Sequence, residues 1–460
     1  MARTKTVFRC GECGGEAPRW LGRCPSCDAW NTLVEELDEP TAVAPVARRS
    51  GAGPMPIDEV PADEWVAVPT GIEELDRVLG GGLVPGSVTL LGGEPGIGKS
   101  TLLLQAAVAR AAAGDRVLYV SAEESRQQVR LRAGRLGALD PNLWLVADTS
   151  LPVVLGDLAE TRPALVIVDS VQALADPQLS SAPGSVAQVR HVAARLVAEA
   201  KQRGVAIVLV GHVTKDGALA GPRVLEHVVD TVCTFEGERH HALRLLRAVK
   251  HRFGPTHELG LFQMTGEGLQ GVPDPSSLFL SDRRRGVPGS VVVPTLDGNR
   301  PLLVEIQALV TGSDLGNPRR SAQGVDGGRL NMVLAVLEER AGLSVARSDV
   351  YALAAGGLRV TEPGADLALA LAVVSASIDV PLDEGVVVCA ELGLGGELRQ
   401  VARLDRRLAE AARLGFGLAL VAPDSPAAPP GLRTIEAATI ANAVRLCAGG
   451  GLGRVLAPAG

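Results

Sequence analysis

GEPGIGKS, residues 93–100, decides the fold of this chain, because it matches the phosphate-loop pattern GxxxxGK[ST] at every defined position. An apolar run at 88–91 precedes it and a helical pattern from Thr101 follows it, which predicts a loop between a buried strand and a helix. Backbone N–H groups of such a loop point at bound anions. The stretch therefore predicts a site for a nucleoside triphosphate, with an ordinary glycine-rich turn as the alternative.

Each residue type in this loop has a chemical role at a phosphate site. The glycines let the backbone curve around the phosphates, and Lys99 brings a positive charge to the terminal phosphates. Ser100 offers its hydroxyl to the Mg²⁺ that bridges the β and γ oxygens. The predicted ATP-binding residues are Gly93, Glu94, Pro95, Gly96, Ile97, Gly98, Lys99, Ser100 and Thr101.

Three more buried strands are predicted near the loop, at 116–121, 165–170 and 205–210. In an open α/β sheet, ligands bind at the carboxyl ends of the strands, so polar residues there should meet the loop. Asp169 is predicted to hold Mg²⁺ through water, and Glu123 to orient the attacking water, with Glu124 as the alternative. His212 either senses the γ-phosphate or is an ordinary structural histidine.

Four of the seven cysteines form two CxxC pairs near the N-terminus: Cys10, Cys13, Cys24 and Cys27. Two such pairs supply four thiolates to a tetrahedral ion, and Zn²⁺ suits a closed site of this kind. Residues 1–37 are therefore predicted to be a four-cysteine zinc finger that depends on its metal to fold. A redox dithiol is the alternative, but the βαβ pattern it needs is absent. Trp20 and Trp30 either cover this module or offer a partner surface.

Composition excludes several classes of protein. The net charge of −7 argues against a protein that binds nucleic acid through its overall charge, so DNA contacts must come from local basic loops. No apolar run approaches the roughly 18 residues of a membrane span, and the N-terminus lacks the apolar core of a signal peptide. We expect a cytoplasmic protein with no membrane partner.

The pattern along the chain predicts five segments. An acidic, proline-rich linker at 38–69 follows the zinc finger and should leave that module some freedom of position. Alternating strands and helices at 70–276 predict a doubly wound α/β domain. A second α/β domain is predicted at 277–448, with a hairpin around 297–299, and a disordered glycine-rich tail at 449–460.

Several further stretches resemble one family. Residues 70–86 are similar to the start of a RecA-type ATPase core, and the cysteine pairs ahead of them narrow the resemblance to the RadA (Sms) family of bacterial DNA repair proteins. Matching runs follow at 211–215, 220–227 and 250–254. The resemblance implies an α/β fold: a RecA-like P-loop ATPase core, a small N-terminal zinc ribbon and a C-terminal Lon-protease-like α/β domain.

The resemblance also implies a function. It suggests a DNA-dependent ATPase of recombinational repair that forms a ring, typically a hexamer, and translocates as a helicase on single-stranded or branched DNA. A recombinase of the RecA type is the implied partner, and recombination intermediates are the implied substrate. An ATP-gated scaffold that recruits a recombinase without translocation is the alternative.

Two departures from the family pattern surround a basic loop. The resemblance implies that Lys250 and Arg252 reach the nucleotide of the adjacent subunit; from the residues alone, a surface salt-bridge loop is the alternative. His251 and His257 stand where the family has asparagine.

The C-terminal half resembles the proteolytic domain of Lon, whose chemistry requires a serine and a lysine. The pattern places Ala365 at the serine position and Asp405 near the lysine position, and Lys250 is the last lysine of the chain. We therefore expect no peptidase activity. The arginine runs 283–285 and 319–320 are either solvated surface or DNA contacts.

Overall fold

The computed structural model describes residues 5–11, 15–38, 56–59, 66–212, 225–237, 243–313 and 317–448. Four features predicted above lie wholly or partly outside these residues: Cys13, most of the linker 38–69, residues 213–224 of the family pattern, and the tail 449–460. The chain divides into two compact units, Met1–Val272 and Pro273–Gly460.

The first unit begins with a three-stranded antiparallel ribbon, in which β1 (Lys5–Cys10) lies between β2 (Glu16–Ala17) and β3 (Leu33–Asp38). Among its described residues, four form the buried core, Cys10, Ala17, Cys24 and Leu33, with Phe8 and Leu21 partly buried against them. A core this small cannot stabilise a fold without a further cross-link such as a metal. Trp20 and Trp30 are exposed, so they do not cover this core.

The ribbon packs against the rest of its unit. The Ser180 hydroxyl donates a hydrogen bond to the buried carboxylate of Glu35 on β3. The described ribbon thus contacts the body of its unit, and the freedom of position expected from the linker stays a prediction.

A nine-stranded sheet forms the body of the first unit, in the order β12-β11-β10-β9-β4-β8-β7-β5-β6. Neighbouring strands from β9 to β6 are parallel, and those from β9 to β12 are antiparallel. The strands are β4 (Val88–Gly93), β5 (Val117–Ser121), β6 (Leu143–Ala147), β7 (Leu165–Asp169), β8 (Ala206–His212), β9 (Thr231–Glu236), β10 (Leu243–His251), β11 (Leu259–Thr265) and β12 (Gly268–Gly271).

Helices cover both faces of this sheet: α1 (Glu73–Val78), α2 (Lys99–Ala112), α3 (Arg126–Arg135), α4 (Leu151–Thr161) and α5 (Val186–Arg203). One apolar core contains Leu102 and Leu103 of α2, and a separate core contains Leu158 of α4 and Leu196 of α5. Because side chains alternate between the faces of a strand, two cores on one sheet are the mark of a doubly wound fold. The prediction of that fold is confirmed.

The second unit contains a seven-stranded mixed sheet, in the order β15-β16-β14-β13-β17-β20-β21. The hairpin predicted around 297–299 is confirmed, because Asp297 of β13 pairs with Arg300 of β14. The elements are α6 (Pro275–Leu280), β13 (Ser290–Asp297), β14 (Arg300–Gly312), β15 (Arg320–Gln323), α7 (Gly327–Ala341), β16 (Ser348–Ala354), α8 (Asp366–Ile378), β17 (Val386–Cys389), β18 (Glu391–Leu392), β19 (Leu398–Arg399), α9 (Leu404–Arg413), β20 (Leu418–Val421), β21 (Arg433–Glu436) and α10 (Ile440–Ala448).

Among the described residues, none of the helices combines the length and the apolar character that a bilayer crossing requires.

Candidate functional site

The phosphate loop joins the end of β4 to the start of α2, as its sequence predicts. Gly98 caps α2 with φ +115°, and a Cβ there would lie 2.8 Å from Met264 Cε, so both the backbone and the space require glycine. Gly96 has φ +78°, and a Cβ there would meet no described atom within 4 Å. The loop is therefore tight at its end and open in its middle, where an anion would face the N-terminus of α2.

Lys99 is folded over this loop and is only 4% exposed. Its Nζ donates hydrogen bonds to the carbonyl oxygens of Gly93 at 2.7 Å and Glu94 at 2.9 Å. Burial lowers the pKa of Lys99, while the negative charges of Asp169 and Glu123 act to raise it. The ammonium group and both predicted acids therefore lie within electrostatic reach of one another.

Asp169 is oriented by a tyrosine on the neighbouring strand. Tyr119 Oη donates a hydrogen bond to Asp169 Oδ2 at 2.7 Å. Burial, and then the charge of Asp169, raise the pKa of Tyr119 well above its usual value, so the phenol stays protonated. The other carboxylate oxygen, Oδ1, accepts no hydrogen bond from the described residues and is suited to a hydrated Mg²⁺.

Glu123 is held by two hydrogen bonds at the ends of β7 and β8. Ser170 Oγ donates to Glu123 Oε1 at 2.5 Å, and His212 Nε2 lies 3.1 Å from the same oxygen. Burial acts to raise the pKa of Glu123, but the contacts with Ser170 and His212 outweigh it, so the pKa falls below its usual value. The carboxylate is therefore ionised at neutral pH and, being 47% exposed, is accessible to water.

Glu124, the alternative base, is engaged elsewhere. Arg132 of α3 forms an ion pair with its carboxylate, and its backbone exchanges hydrogen bonds with the Ser121 side chain. The geometry thus favours Glu123. His212 Nδ1 is buried and has no hydrogen-bond partner among the described residues, so only its Nε2 is committed, to Glu123.

Three residues of this site were not predicted from the sequence. Tyr119 orients Asp169, and Ser170 orients Glu123. Arg244 of β10 donates a hydrogen bond from Nε to the Ile97 carbonyl at 3.2 Å and so stabilises the phosphate loop. The sequence could have indicated Tyr119, because it is the one residue with an aromatic hydroxyl in an otherwise aliphatic strand. The sequence does not indicate Arg244, because it lies about 150 residues beyond the phosphate loop, and only the folded sheet brings the two together.

Lys250 and Arg252 are not brought to the phosphate loop. The register of β9 aligns Thr231 with both Thr89 of β4 and His251 of β10, whereas Gly93 aligns with Phe235. The two cations therefore lie level with the start of β4, about 13 Å along the sheet from Gly93 at ~3.3 Å per residue.

Backbone carbonyls and one buried acid, Asp230, hold Lys250 and Arg252 in this position near the start of β4. Lys250 Nζ donates to the carbonyl oxygens of Glu226 at 2.6 Å and Val229 at 2.8 Å. Arg252 Nη1 lies 3.4 Å from Asp230 Oδ1, and Asp230 Oδ2 accepts a hydrogen bond from the Val88 N–H at 3.0 Å. Half of the Arg252 side chain remains exposed.

His251, which replaces the family asparagine, fits a glycine-lined space. Its Nδ1 lies 3.0 Å from Thr231 Oγ1. A Cβ at Gly254 would come within 3.0 Å of the imidazole, and one at Gly80 within 3.3 Å. Its Nε2 is buried without a partner among the described residues.

In the second unit, ion pairs occupy the region where the Lon resemblance places catalytic residues. Ala365 is buried at the start of α8, and Asp405 is exposed on the first turn of α9. Arg407 donates to both oxygens of Glu362, each at 2.5 Å. Arg329 likewise donates hydrogen bonds from Nε and Nη2 to the two carboxylate oxygens of Asp366. The first pair joins α9 to the segment before α8, and the second joins α7 to α8.

The cysteine cluster fits a zinc ion. The sulfur atoms of Cys10, Cys24 and Cys27 all lie within 4.8 Å of one another, and those of Cys10 and Cys27 are 3.6 Å apart. Zn–S bonds of about 2.3 Å at tetrahedral angles separate sulfurs by about 3.8 Å. The Ser26 N–H points at Cys24 Sγ at 3.4 Å, as suits a thiolate ligand. Cys13, the predicted fourth ligand, lies outside the described residues.

Comparison with known proteins supports both sites. Residues 8–35 match the family described as a rubredoxin metal binding domain, and residues 55–218 match an AAA domain. The DNA repair protein RadA of Halalkalibacterium halodurans is 47% identical over 457 residues, which cover 98% of this chain and 100% of the relative. The chain belongs to the RadA family of DNA repair proteins.

Other RadA proteins are similar to the same extent. That of Bacillus subtilis is 46% identical over 98% of this chain and 100% of its own length. That of Mycobacterium tuberculosis H37Rv is 49% identical over 97% and 94%. A solved KaiC-like protein of Pyrococcus horikoshii superposes with a TM-score of 0.39 at 20% identity, covering 45% of this chain and all of its own; a similarity at that level adds nothing to the assignment. The match to a metal-binding domain and the cysteine cluster support structural Zn²⁺ in the ribbon, and the AAA match implies Mg²⁺ with ATP at the phosphate loop.

The zinc site makes a prediction of its own. Replacing Cys24 with serine should reduce bound zinc from about one ion per chain to a small fraction, because a buried hydroxyl is a poor substitute for a thiolate. Elemental analysis of the purified chain measures this loss. Cys447→Ser, a change in α10, is the matched control and should keep the ion. Full zinc occupancy in the Cys24 variant would contradict the ligand assignment.

Proposed function

We propose that this chain is a DNA-dependent ATPase of recombinational repair, which assembles as a ring and translocates on single-stranded or branched DNA. The observation that carries the hydrolytic part is the convergence of Lys99, Asp169 and Glu123 around one phosphate loop. Lys99 Nζ lies on the loop carbonyls, Asp169 Oδ1 accepts no hydrogen bond from the described residues, and Glu123 is a half-exposed carboxylate whose pKa is lowered by Ser170 and His212.

Hydrolysis divides among these residues. Lys99 exchanges its two loop carbonyls for the terminal phosphates and neutralises their charge. Ser100 and Asp169 would hold the Mg²⁺, which would supply positive charge to the phosphates. Glu123 orients the attacking water, and His212, bonded to the same carboxylate, senses whether the γ-phosphate is present.

The position of Lys250 and Arg252 favours action across subunits. In their own chain they lie near the amino-terminal end of the parallel strands, whereas the phosphate loop follows the carboxyl end of β4. A head-to-tail contact sets these two ends of neighbouring copies against each other, and its repetition gives a ring when the rotation between copies closes. A cation arriving across that contact stabilises the charge of phosphoryl transfer, as an arginine finger does.

The surface arginines narrow the candidates for DNA contact. Arg283 is only 9% exposed, and the Arg320 guanidinium donates to the backbone carbonyls of Ser348 and Val345. Both are used internally. Of these two arginine runs, Arg284, Arg285 and Arg319 are exposed and remain candidates for phosphate contacts, although Arg285 also lies 3.6 Å from Glu384.

ATP turnover measured with and without single-stranded DNA tests the proposal. We expect turnover to rise several-fold with DNA, and sedimentation of the same sample to show an assembly larger than one chain. ATP turnover that is the same with and without DNA would contradict the DNA-dependent part of the proposal and favour an ATP-gated scaffold. For such a scaffold, the exposed Trp20 and Trp30 of the ribbon offer a surface that could bind the recruited partner.

A further inference from the structure

The linker carries an exposed apolar residue on a short ordered turn. Ile57–Glu59 forms a 3-10 turn within the acidic segment, and its three residues are exposed. Ile57 is 91% exposed, which leaves almost a whole aliphatic side chain in water. Burial of such a side chain contributes about 1.5–3 kcal/mol, so the turn offers an anchor for association.

A cavity of about 370 Å³ opens on the ATPase core between α2, α3 and the edge strand β6. It is larger than the roughly 150 Å³ cavity that accepts a benzene molecule. Leu139 and Trp144, beside it, are half exposed, and β6 is the last strand of its sheet. The apolar wall is formed by Leu104, Tyr119, Val129, Ala133, Leu143 and Leu145.

The helix above this cavity is strongly basic. Helix α3 has the sequence RQQVRLRAGR, which contains four arginines and no acid. Arg132 is paired with Glu124, but Arg126, Arg130 and Arg135 are exposed and form no ion pair among the described residues. Asp140 is the one acid that lines the cavity, and its carboxylate accepts a hydrogen bond from the Asn142 N–H.

The linker turn has the opposite charge. Asp58 and Glu59 directly follow the anchor, and the sequence continues with Asp63 and Glu64. An acidic segment with an apolar anchor thus matches a basic helix above an apolar cavity. Complementary charge of this kind fixes register and speeds association.

We propose that Ile57 of one copy docks into this cavity on a second copy, with Asp58 and Glu59 meeting Arg126 and Arg130. In its own chain Ile57 lies outside the cavity, although it is only nine residue steps from Val66, a tether of at most about 30 Å. Anchor and socket are different surfaces, so the contact is heterologous and adds copies in one direction. The inference rests on the proposed ring assembly and supplies its linker contact.

Paired charge reversal tests the contact by sedimentation velocity over a concentration series. We expect Ile57→Ser, the double change Asp58→Arg with Glu59→Arg, and the double change Arg126→Glu with Arg130→Glu each to weaken self-association at least tenfold. All these positions are exposed, so folding is unaffected. Combining the two double changes should restore association to within about threefold. The control is the double change Glu338→Arg with Glu339→Arg, which reverses the same number of charges at two exposed positions of α7. This variant should associate as the unmodified chain does.

Oxidative cross-linking separates two copies from one. A chain carrying Ile57→Cys mixed with a chain carrying Leu139→Cys should give a covalent dimer that neither variant gives alone. Unchanged association in the reversed variants, or no rescue, overturns the docking contact while leaving the ring intact. An unmodified chain that sediments as a monomer at every concentration overturns the ring and the contact together.

Discussion

Replacing Lys99 with alanine is expected to lower ATP turnover at least about 100-fold, the scale of losing one well-placed charge-stabilising donor. The Nζ is the only ammonium group near the phosphate loop within the described chain, and two loop carbonyls fix its position. Only 4% of the residue is exposed, so its ammonium group is held inside the loop and is not exchanged for a solvent cation at the surface. Steady-state phosphate release at saturating ATP and Mg²⁺ measures the loss.

Two further variants separate charge from geometry. Lys99→Arg should not restore turnover, because a planar guanidinium cannot occupy the place of a compact ammonium against Gly93 and Glu94. Lys201→Ala, an exposed lysine on α5, is the matched control and should hydrolyse ATP normally. If the Lys99→Ala chain folds with an unchanged melting temperature and still turns over ATP, the site assignment is wrong.

Replacing Arg252 with alanine is expected to give a different defect: nucleotide binding retained and turnover reduced at least about 100-fold. Arg252 lies near the start of β4, away from the phosphate loop of its own chain. We therefore expect ATP binding at that loop not to depend on Arg252. Fluorescent-nucleotide binding and phosphate release, measured on one sample, distinguish the two effects. Arg359→Ala, a change at an exposed arginine of the second unit, should leave both unchanged.

Mixing the two inactive chains tests action across subunits. A Lys99→Ala chain has an intact Arg252 to offer, and an Arg252→Ala chain has an intact phosphate loop to receive it. Mixed assemblies should therefore recover part of the turnover, at most about a quarter of that of the unmodified protein if the chains mix at random and each site needs both residues. Full activity of Arg252→Ala alone, or no recovery in mixtures shown to co-assemble, would mean that Arg252 does not act in trans.

The parts of the site that are local in sequence were predictable. The phosphate loop, the buried strands that end at Asp169 and His212, and the hairpin at 297–299 all follow from short-range patterns of glycine, apolar and turn residues. The sequence alone favours Glu123 over Glu124 as the residue that orients water, and the ion pair of Glu124 with Arg132 is a physical reason for that preference.

The parts that depend on tertiary contacts were not. A run of arginines looks uniform in sequence, yet Arg283 is buried and its two neighbours are exposed, because the path of the backbone after α6 turns only one of the three inward. The ribbon shows the same limit: the composition of the linker predicts a module with some freedom of position, and it gives no sign of the hydrogen bond that Ser180 of the core donates to Glu35. Charge and composition report average behaviour, whereas burial is decided by individual contacts.

Lys99 and Arg252 lie toward opposite ends of the strands of one sheet, and this separation has a genetic consequence. Under the proposed action across subunits, each working centre needs Lys99 from one chain and Arg252 from its neighbour, so a single chain defective at both positions inactivates two centres instead of one. In a cell that makes normal and doubly defective chains together, the loss of activity should exceed the fraction of defective protein, which is the behaviour of a dominant-negative allele.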